Sequence, residues 1–430
     1  MRFTRVADWL QWQQQLHPRE IDPGLDRVLA VGDVLGVLEP SATVISVAGT
    51  NGKGTTVAFL EGLATELGYR PGCHTSPHIL AYNERIRVAG SPVSDEVLLT
   101  AFDAVDRARG DTTLSFFEFG TLAALWCLMQ AGADPWLLEV GLGGRLDAVN
   151  ALSADVAVVT SIALDHAEWL GDDLDSIGRE KAGIMRPEHP AICGTSTPPA
   201  GLLAAAADHG AQLSRRGVDF DVEPGPEQWR WWGVRETLGG LPVPAWTGGF
   251  VDNAATALAA WEAAPGLAFP DRGQAQRALG AARLSGRLQW LDGHWLLDVA
   301  HNPVAAQRLA QALSGQTLAT PLRGVIAVMA RKELIGIVQA LADAVSIWHP
   351  LILDDDDAWP ADEVSAAVRA AGGEVGSAGS PATLFSDLDE QPGTKMVCGS
   401  FRAVEEAVRW YGDGSGARVA GRERHACSKG

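Results

Sequence analysis

The segment VAGTNGKGTT (47–56) places three glycines, a lysine and three threonines where a run of β-branched residues gives way to a helical pattern. Glycines in such a turn let backbone N–H groups approach a phosphate, and the following helix start favours negative charge. Asn51, Gly52, Lys53 and Gly54 therefore form a candidate cradle for the phosphates of a nucleotide. Lys53 would act as a point charge on the β- and γ-phosphates, and the Thr55 hydroxyl is a candidate ligand for Mg²⁺. The spacing departs from GxxxxGK[ST], since Gly54 separates the lysine from the threonine. Two further donors stand near the ends of apolar runs, Glu139 in WLLEVGLGG (136–144) and His166 just after DVAVVTSIALD (155–165). A carboxylate and an imidazole suit a metal beside phosphate oxygens, although an isolated histidine also reads as a core residue.

These residues need a scaffold that brings strand ends together. Short β-branched runs alternate with longer helical patterns, which predicts parallel sheets with crossover helices and sites at the carboxyl ends of strands. TVISVAG (43–49) reads as a buried strand and 55–67 as a helix, while 217–249, with PGPEQWRWWG, reads as irregular or small antiparallel structure. A second α/β pattern begins near residue 290, with strands expected in HWLLDVAHNP (294–303), RGVIAVMA (323–330), HPLILDDDD (349–357) and MVCGSF (396–401). The fold class expected is α/β, with a P-loop ATPase-type N-terminal domain built on a mostly parallel sheet and a smaller Rossmann-like α/β C-terminal domain. The boundaries are set at 1–286 and 287–412, with 413–430 read as a disordered polar tail.

Composition narrows the functional classes. With 430 residues, 47% hydrophobic and 20% charged, the chain is a globular protein of two or three domains. A net charge of −19 argues against general affinity for nucleic acid or anionic membranes, so an anionic ligand must be held by a local site. Phe119 to Ala133, the longest apolar stretch, is shorter than the ~20 residues of a membrane span. The N-terminus has no apolar core of a secretory signal. Five scattered cysteines without a CxxC pair fit a reducing compartment, the cytoplasm.

The loop resembles that of the Mur ligase superfamily, ATP-dependent enzymes that join an amine to a carboxylate. Within it the chain is similar to the dihydrofolate synthase/folylpolyglutamate synthase family through IDPGLDRV (21–28), TSPHILAYNERIRVAG (75–90), SFFEFGTLAALW (115–126), LEVGLGGRLDAVN (138–150), VTSIALDHAEWLG (159–171), IGREKAGIMR (177–186), LSGRLQW (284–290), LLDVAHNP (296–303) and CGSF (398–401). The resemblance implies a ligase that adds L-glutamate to dihydropteroate, forming dihydrofolate, and then γ-linked glutamates to reduced folates. ATP and one or two Mg²⁺ ions are the implied cofactors, and an acyl phosphate the implied intermediate, since oxide is too poor a leaving group for direct amide formation.

Carried over residue by residue, the resemblance assigns metal coordination to Ser76, Glu139 and His166, with Thr55 added on physical grounds. Lys53, His166 and Lys181 become catalytic candidates; Lys181 matches a lysine that relatives carry as a carbamate, N6-carboxylysine, and otherwise reads as a salt-bridge partner of Glu180. Asn253, Arg287 and Asp298 match ATP-contacting positions, and His301 and Asn302 positions that orient glutamate or phosphate; HNP also reads as a capped helix start. Gly24, Leu25 and Asp26, Ser115 to Glu118, and Leu146, Asp147 and Ala148 match the pterin site. Phe116 or Phe117 would stack on a flat heteroaromatic ring and Glu118 accept its hydrogen bonds, against a reading as core packing.

One departure stands out: relatives carry an Asp-Lys-Asp type segment where this chain has Ala330, Arg331, Lys332 and Glu333. The acidic run Asp354 to Asp357 reads as a solvated loop before it reads as a metal site. The partners expected are small molecules, with neither nucleic acid nor membrane, and the chain is expected to be a monomer. The alternatives are a folylpolyglutamate synthase alone, another Mur-type amino-acid ligase, and a P-loop switch or motor. SFFEFG and TSPHILAYNERIRV weigh against the other Mur-type ligases, and the lack of NKxD and the presence of DVAHNP against a switch.

Overall fold

The computed structural model describes residues 1–19, 22–165, 167–225, 227–248 and 250–414. The chain forms two compact units. The first contains Met1–His78, Tyr82–Val243 and Val251–Arg283; the second contains Ile79–Ala81, Pro244–Phe250 and the chain from Leu284 onward.

The first unit is built on strands β1 (Val44–Ala48), β2 (Gly72–His74), β3 (Ile86–Val88), β4 (Ser91–Pro92), β5 (Trp136–Glu139), β6 (Val156–Val159), β7 (Pro190–Cys193) and β8 (Gln212–Arg215), in the order β4-β3-β2-β5-β1-β6-β7-β8. All pairings from β2 to β8 are parallel, and only the β2–β3 and β3–β4 pairings at one edge are antiparallel. β1, buried at every position, lies between β5 and β6. Its side chains alternate between faces: Val44 and Ala48 join a core with Phe102, Phe119 and Leu122, while Ile45 and Val47 are buried on the opposite face. A strand covered on both sides must be apolar throughout, which is why TVISVAG reads as a continuous run.

β5 stops at Glu139 rather than running to 144, because Gly141, Gly143 and Gly144 follow and Gly143 takes φ +68°. β6 likewise stops at Val159, and Thr160 to Asp165 form a loop. The segment expected to be irregular contains β9 (Asp221–Glu223), β10 (Gln228–Trp232) and β11 (Thr237–Pro242), a three-stranded antiparallel sheet. Trp229 and Trp231 of β10 point inward, and Trp231 stacks on Phe269 at 5.7 Å.

The second unit carries β12 (Gln289–Leu291), β13 (Trp295–Leu297), β14 (Arg323–Ile326), β15 (Ile347–Pro350), β16 (Glu374–Val375) and β17 (Lys395–Cys398), ordered β12-β13-β17-β14-β15-β16. Only β12 is antiparallel. Leu296, Ile326 and Met396 face one helical layer, and Leu297, Val325 and Val397 the other, as a period of two demands. Its strands are shorter than the apolar runs that announce them; β15 ends at Pro350, and the acidic run beyond it is loop, with Asp355 paired to Arg402 at 3.3 Å. The last helix, Phe401–Gly414, carries chain order past residue 412; the rest of the tail read as disordered lies outside the described residues.

No helix among the described residues is long and apolar enough to cross a membrane. Cys73, Cys127, Cys193 and Cys398 are buried and unbridged.

Candidate active site

The loop after β1 enters the helix Lys53–Glu66, two residues earlier than the helical pattern suggests, with Gly52 as its cap at φ +87°. The loop is tied to the segment following β6. Thr50 N–H donates to the Ser161 carbonyl at 2.7 Å, Asn51 N–H to Ser161 Oγ at 3.0 Å, and Thr160 Oγ1 to the Asn51 carbonyl at 2.8 Å. A Cβ on Gly49, which has φ +148°, would strike Thr160 Oγ1, and one on Gly52 would stand 2.5 Å from Asn253 Oδ1. The backbone thus occupies space closed to any side chain, and Asn253, in the first turn of the helix Asp252–Ala263, lies against the loop. Lys53 Nζ donates to the Gly49 carbonyl at 3.0 Å, so its charge is held over the glycine turn, and the buried Thr55 follows it. A cradle of backbone groups with an ammonium over it fits a polyphosphate.

Ser76 and Glu139 follow and end two adjacent parallel strands, β2 and β5, and the Ser76 N–H donates to Glu139 Oε2 at 3.1 Å. Glu139 is 5% exposed and lies within Coulomb range of Arg85 and Arg87. His166 lies outside the described residues, and among the described ones no three His, Cys, Asp or Glu side chains converge on a metal position. A hard divalent ion beside a polyphosphate keeps waters and takes only one or two protein carboxylates, so Glu139 with Ser76 fits that role without a closed cage.

Lys181 ends the helix Leu174–Ala182 and is 3% exposed. Burial, reinforced by the charge of Lys53, pushes its amine down to about 7, against the pull of Asp165, Glu180 and Asp147. Asp147 is buried too, and burial pushes its carboxyl up to about 6 even though the backbone N–H groups of Leu142 and Val149 donate to it. Glu180, the alternative partner of Lys181, instead pairs with Arg145 at 3.0 Å.

A cavity of about 830 Å³ opens beside Ser76. Gly24, Ser115, Phe116, Phe117, Glu118, Leu146, Asp147 and Ala148 line it together with Ser76; Leu25 and Asp26 do not, because they begin the helix Asp26–Leu35. Phe116 stands edge-on to Tyr82 at 5.8 Å, and Phe117 fills the space left by the missing Cβ of Gly141. Glu118, expected to accept hydrogen bonds from a bound ring, lines the cavity and is also engaged by the protein. It closes a capping box with Ser115, whose N–H donates to Oε2 at 2.7 Å, and receives two donors from Arg27, at 2.8 and 3.3 Å. Arg27 also holds Asp22 at 2.7 Å. SxxE before an apolar run is itself a capping signature, so that constraint was available from local spacing.

Gln13, His17, Asp22, Arg27, Arg85 and Trp169 are further residues of this region that sequence reasoning did not select. Arg85 is half-buried, and its Nε donates to His78 Nδ1 at 2.8 Å. Only the helical phase of Gln13, four residues after Trp9, gave a local hint of an inward-facing polar group.

Within the second unit, Asp298 follows β13 and its carboxylate accepts from Leu288 N–H at 3.0 Å and Ala300 N–H at 2.9 Å. Burial pushes its carboxyl up, and Arg287, 4.0 Å away, pulls it back. The Arg287 guanidinium lies over the Phe401 ring, as does the His301 ring at 5.9 Å. Asn302 caps the helix Pro303–Ser314, accepting from Ala305 N–H at 2.9 Å, so the capping role is present in the structure.

No family model matches the chain. Individual relatives do. It is 41% identical over 409 residues to the dihydrofolate synthase/folylpolyglutamate synthase of Escherichia coli (strain K12), covering 94% of each chain. The enzyme of that name from Haemophilus influenzae is 36% identical over 372 residues, covering 81% of this chain and 83% of its own. Among solved structures, E. coli FolC in complex with DHPP and ADP superposes with a TM-score of 0.90 at 39% identity, over 94% of this chain and 97% of that one. A bifunctional folylpolyglutamate synthase/dihydrofolate synthase with Mn, AMPPNP and L-glutamate bound gives 0.86 at 38% identity, over 94% and 98%.

Proposed function

The chain belongs to the dihydrofolate synthase/folylpolyglutamate synthase family and is an ATP-dependent ligase, and from that premise we propose how its residues divide the work. It joins L-glutamate to dihydropteroate to form dihydrofolate, and then adds γ-linked glutamates to reduced folates. The observation that carries the reading is the aromatic cavity beginning at Ser76, beside the polyphosphate cradle and Glu139. An acceptor lying against Phe116 and Phe117 would present its carboxylate to the end of the nucleotide.

The loop from Asn51 to Gly54, Lys53 above it and Asn253 against it would hold ATP, and the family resemblance gives Arg287 and Asp298 as further ATP-contacting residues. Thr55, Ser76, Glu139 and His166 would hold Mg²⁺, which supplies charge neutralisation at the phosphates when bound. The acceptor carboxylate attacks the γ-phosphorus and releases ADP. The amine of glutamate then attacks the acyl carbon, and inorganic phosphate leaves through a tetrahedral intermediate. Lys53 offsets the charge that develops at the transferring group. Lys181, whose amine stands near neutrality, is set to react with CO₂ as a carbamate, turning a cation into an anion near the metal position. His301 and Asn302 would orient glutamate. The reading carries with it a cytoplasmic enzyme, acting as a monomer on small molecules.

Purified protein with MgATP, L-glutamate and either dihydropteroate or tetrahydrofolate should form ADP and a conjugate one glutamate heavier with both acceptors, read by mass. Product from tetrahydrofolate alone would reduce the activity to folylpolyglutamate synthesis. No product from either would move the chain to another Mur-type amino-acid ligation.

A further inference from the structure

The helix Val6–Leu16 contributes Gln13 and Gln14 to the wall of the cavity, with His17 just beyond its end. Gln13 lies on the same helix face as the fully buried Trp9 and is itself 1% exposed. A primary amide carries two N–H donors and a carbonyl acceptor, and buried ones are almost always satisfied. Here, among the described residues, neither Nε2 nor Oε1 of Gln13 has a hydrogen-bond partner. The neighbouring polar wall is satisfied internally: His17 bridges Thr113 and Asp22 at 2.9 and 3.1 Å, and Arg27 holds Asp22 and Glu118.

An unpaired amide in a paired wall costs free energy in the empty enzyme, and leucine or methionine would fill the same helix position without that cost. The cost is recovered where a ligand brings a matching donor and acceptor into the cavity. We propose that Gln13 is a specificity-determining residue of the ligase, turning its amide onto the pyrimidine edge of the acceptor's heteroaromatic ring. That edge, with an amino group beside ring nitrogen and carbonyl, offers the two-point complement of a carboxamide. The assignment rests on the ligase reading above, and it extends that reading to a residue selected by neither motif nor spacing.

The test compares the wild-type enzyme with Gln13→Leu and Gln13→Met, using dihydropteroate and an analogue lacking the ring amino group. The variants should raise KM for dihydropteroate about tenfold, equivalent to about 1.4 kcal/mol. Their KM for ATP and L-glutamate and their kcat should stay unchanged, and the melting temperature should hold or rise. Wild type should discriminate against the analogue, and the variants should lose that discrimination. An unchanged KM for dihydropteroate with a raised melting temperature, or equal discrimination by wild type and variants, would make Gln13 an unpaired core residue and overturn the assignment. If Gln13→Leu does not fold, Gln13→Met and the wild-type response to the analogue decide the matter. Failure of the ligase reading is separate: wild type itself would then form no conjugate with any folate acceptor.

Discussion

The backbone N–H of Ser76 donates to Glu139 Oε2 at 3.1 Å, joining residues 63 positions apart at the carboxyl ends of adjacent parallel strands. The bond fixes the Glu139 carboxylate at the strand ends, where the proposed function gives its charge to a cation. Glu139→Gln keeps an oxygen for Ser76 and loses the charge. The half-saturating Mg²⁺ concentration should rise at least ~tenfold with little loss of stability, measured by ADP formation across a Mg²⁺ titration. An unchanged Mg²⁺ dependence would remove Glu139 from the metal site.

Lys53→Ala should lower kcat/KM for ATP by about 10³ while the melting temperature moves by no more than about 2 °C. Lys53 Nζ donates to the carbonyls of Gly49 and Thr50 at 3.0 and 3.4 Å, which holds its ammonium over the glycine turn where the proposed function puts the phosphates. Residual turnover within a factor of about ten of wild type would sink this role.

Gly52→Ala meets two obstacles, a φ of +87° and a Cβ 2.5 Å from Asn253 Oδ1. Gly68, at φ +81° with nothing within 4 Å, shares only the first and is the control. Both variants should lose about 1 kcal/mol of stability in urea, and only Gly52→Ala should also raise KM for ATP. Equal KM values would mean that Asn253 yields freely.

Lys181 predicts a pH dependence. Its native amine stands at about 7 against the ordinary 10.5, so between those values the unfolded chain holds a proton that the native state has released. In CO₂-free buffer this group makes stability rise with pH from about 7 to 10.5, and Lys181→Met should flatten that rise. Below about 7 the native site must bury the charge and the contribution is lost. Ligase activity should recover when bicarbonate is restored to the wild type and not to the variant; indifference of the wild type to CO₂ would rule out the carbamate.

Glu118→Ala should cost about 3 kcal/mol in urea denaturation, because it strips the capping box from the helix Phe116–Gln130 and leaves Arg27 without one of its two carboxylates. Glu118→Gln, which can still accept from Ser115 N–H, should cost less. Full stability with a raised KM for the acceptor would instead return Glu118 to the role of ring acceptor.

Local order was legible because nearest neighbours set it. The glycine spacing in GTNGKGTT, the apolar run of β1, the Asn302-Pro303 helix start and the Ser115 to Glu118 box are all written within a few residues of themselves, where hydrogen-bond geometry and side-chain period act. The strand order β5-β1-β6 is not local. It decides that Glu139 and the loop after β6 flank the glycine turn that follows β1, and that Thr160 and Ser161 clamp it. Asn253 reaches Gly52, Arg27 reaches Glu118 across 91 residues, and Gln13 is buried in the wall of the cavity only because sheet and helices close around one core. Arg287 and His301 share the Phe401 ring for the same reason in the second unit. Residue types and spacing set the chemistry available to this chain. Which groups meet, and which polar atoms are left waiting for a partner, was decided by long-range packing, where burial and strand pairing outweigh local preference.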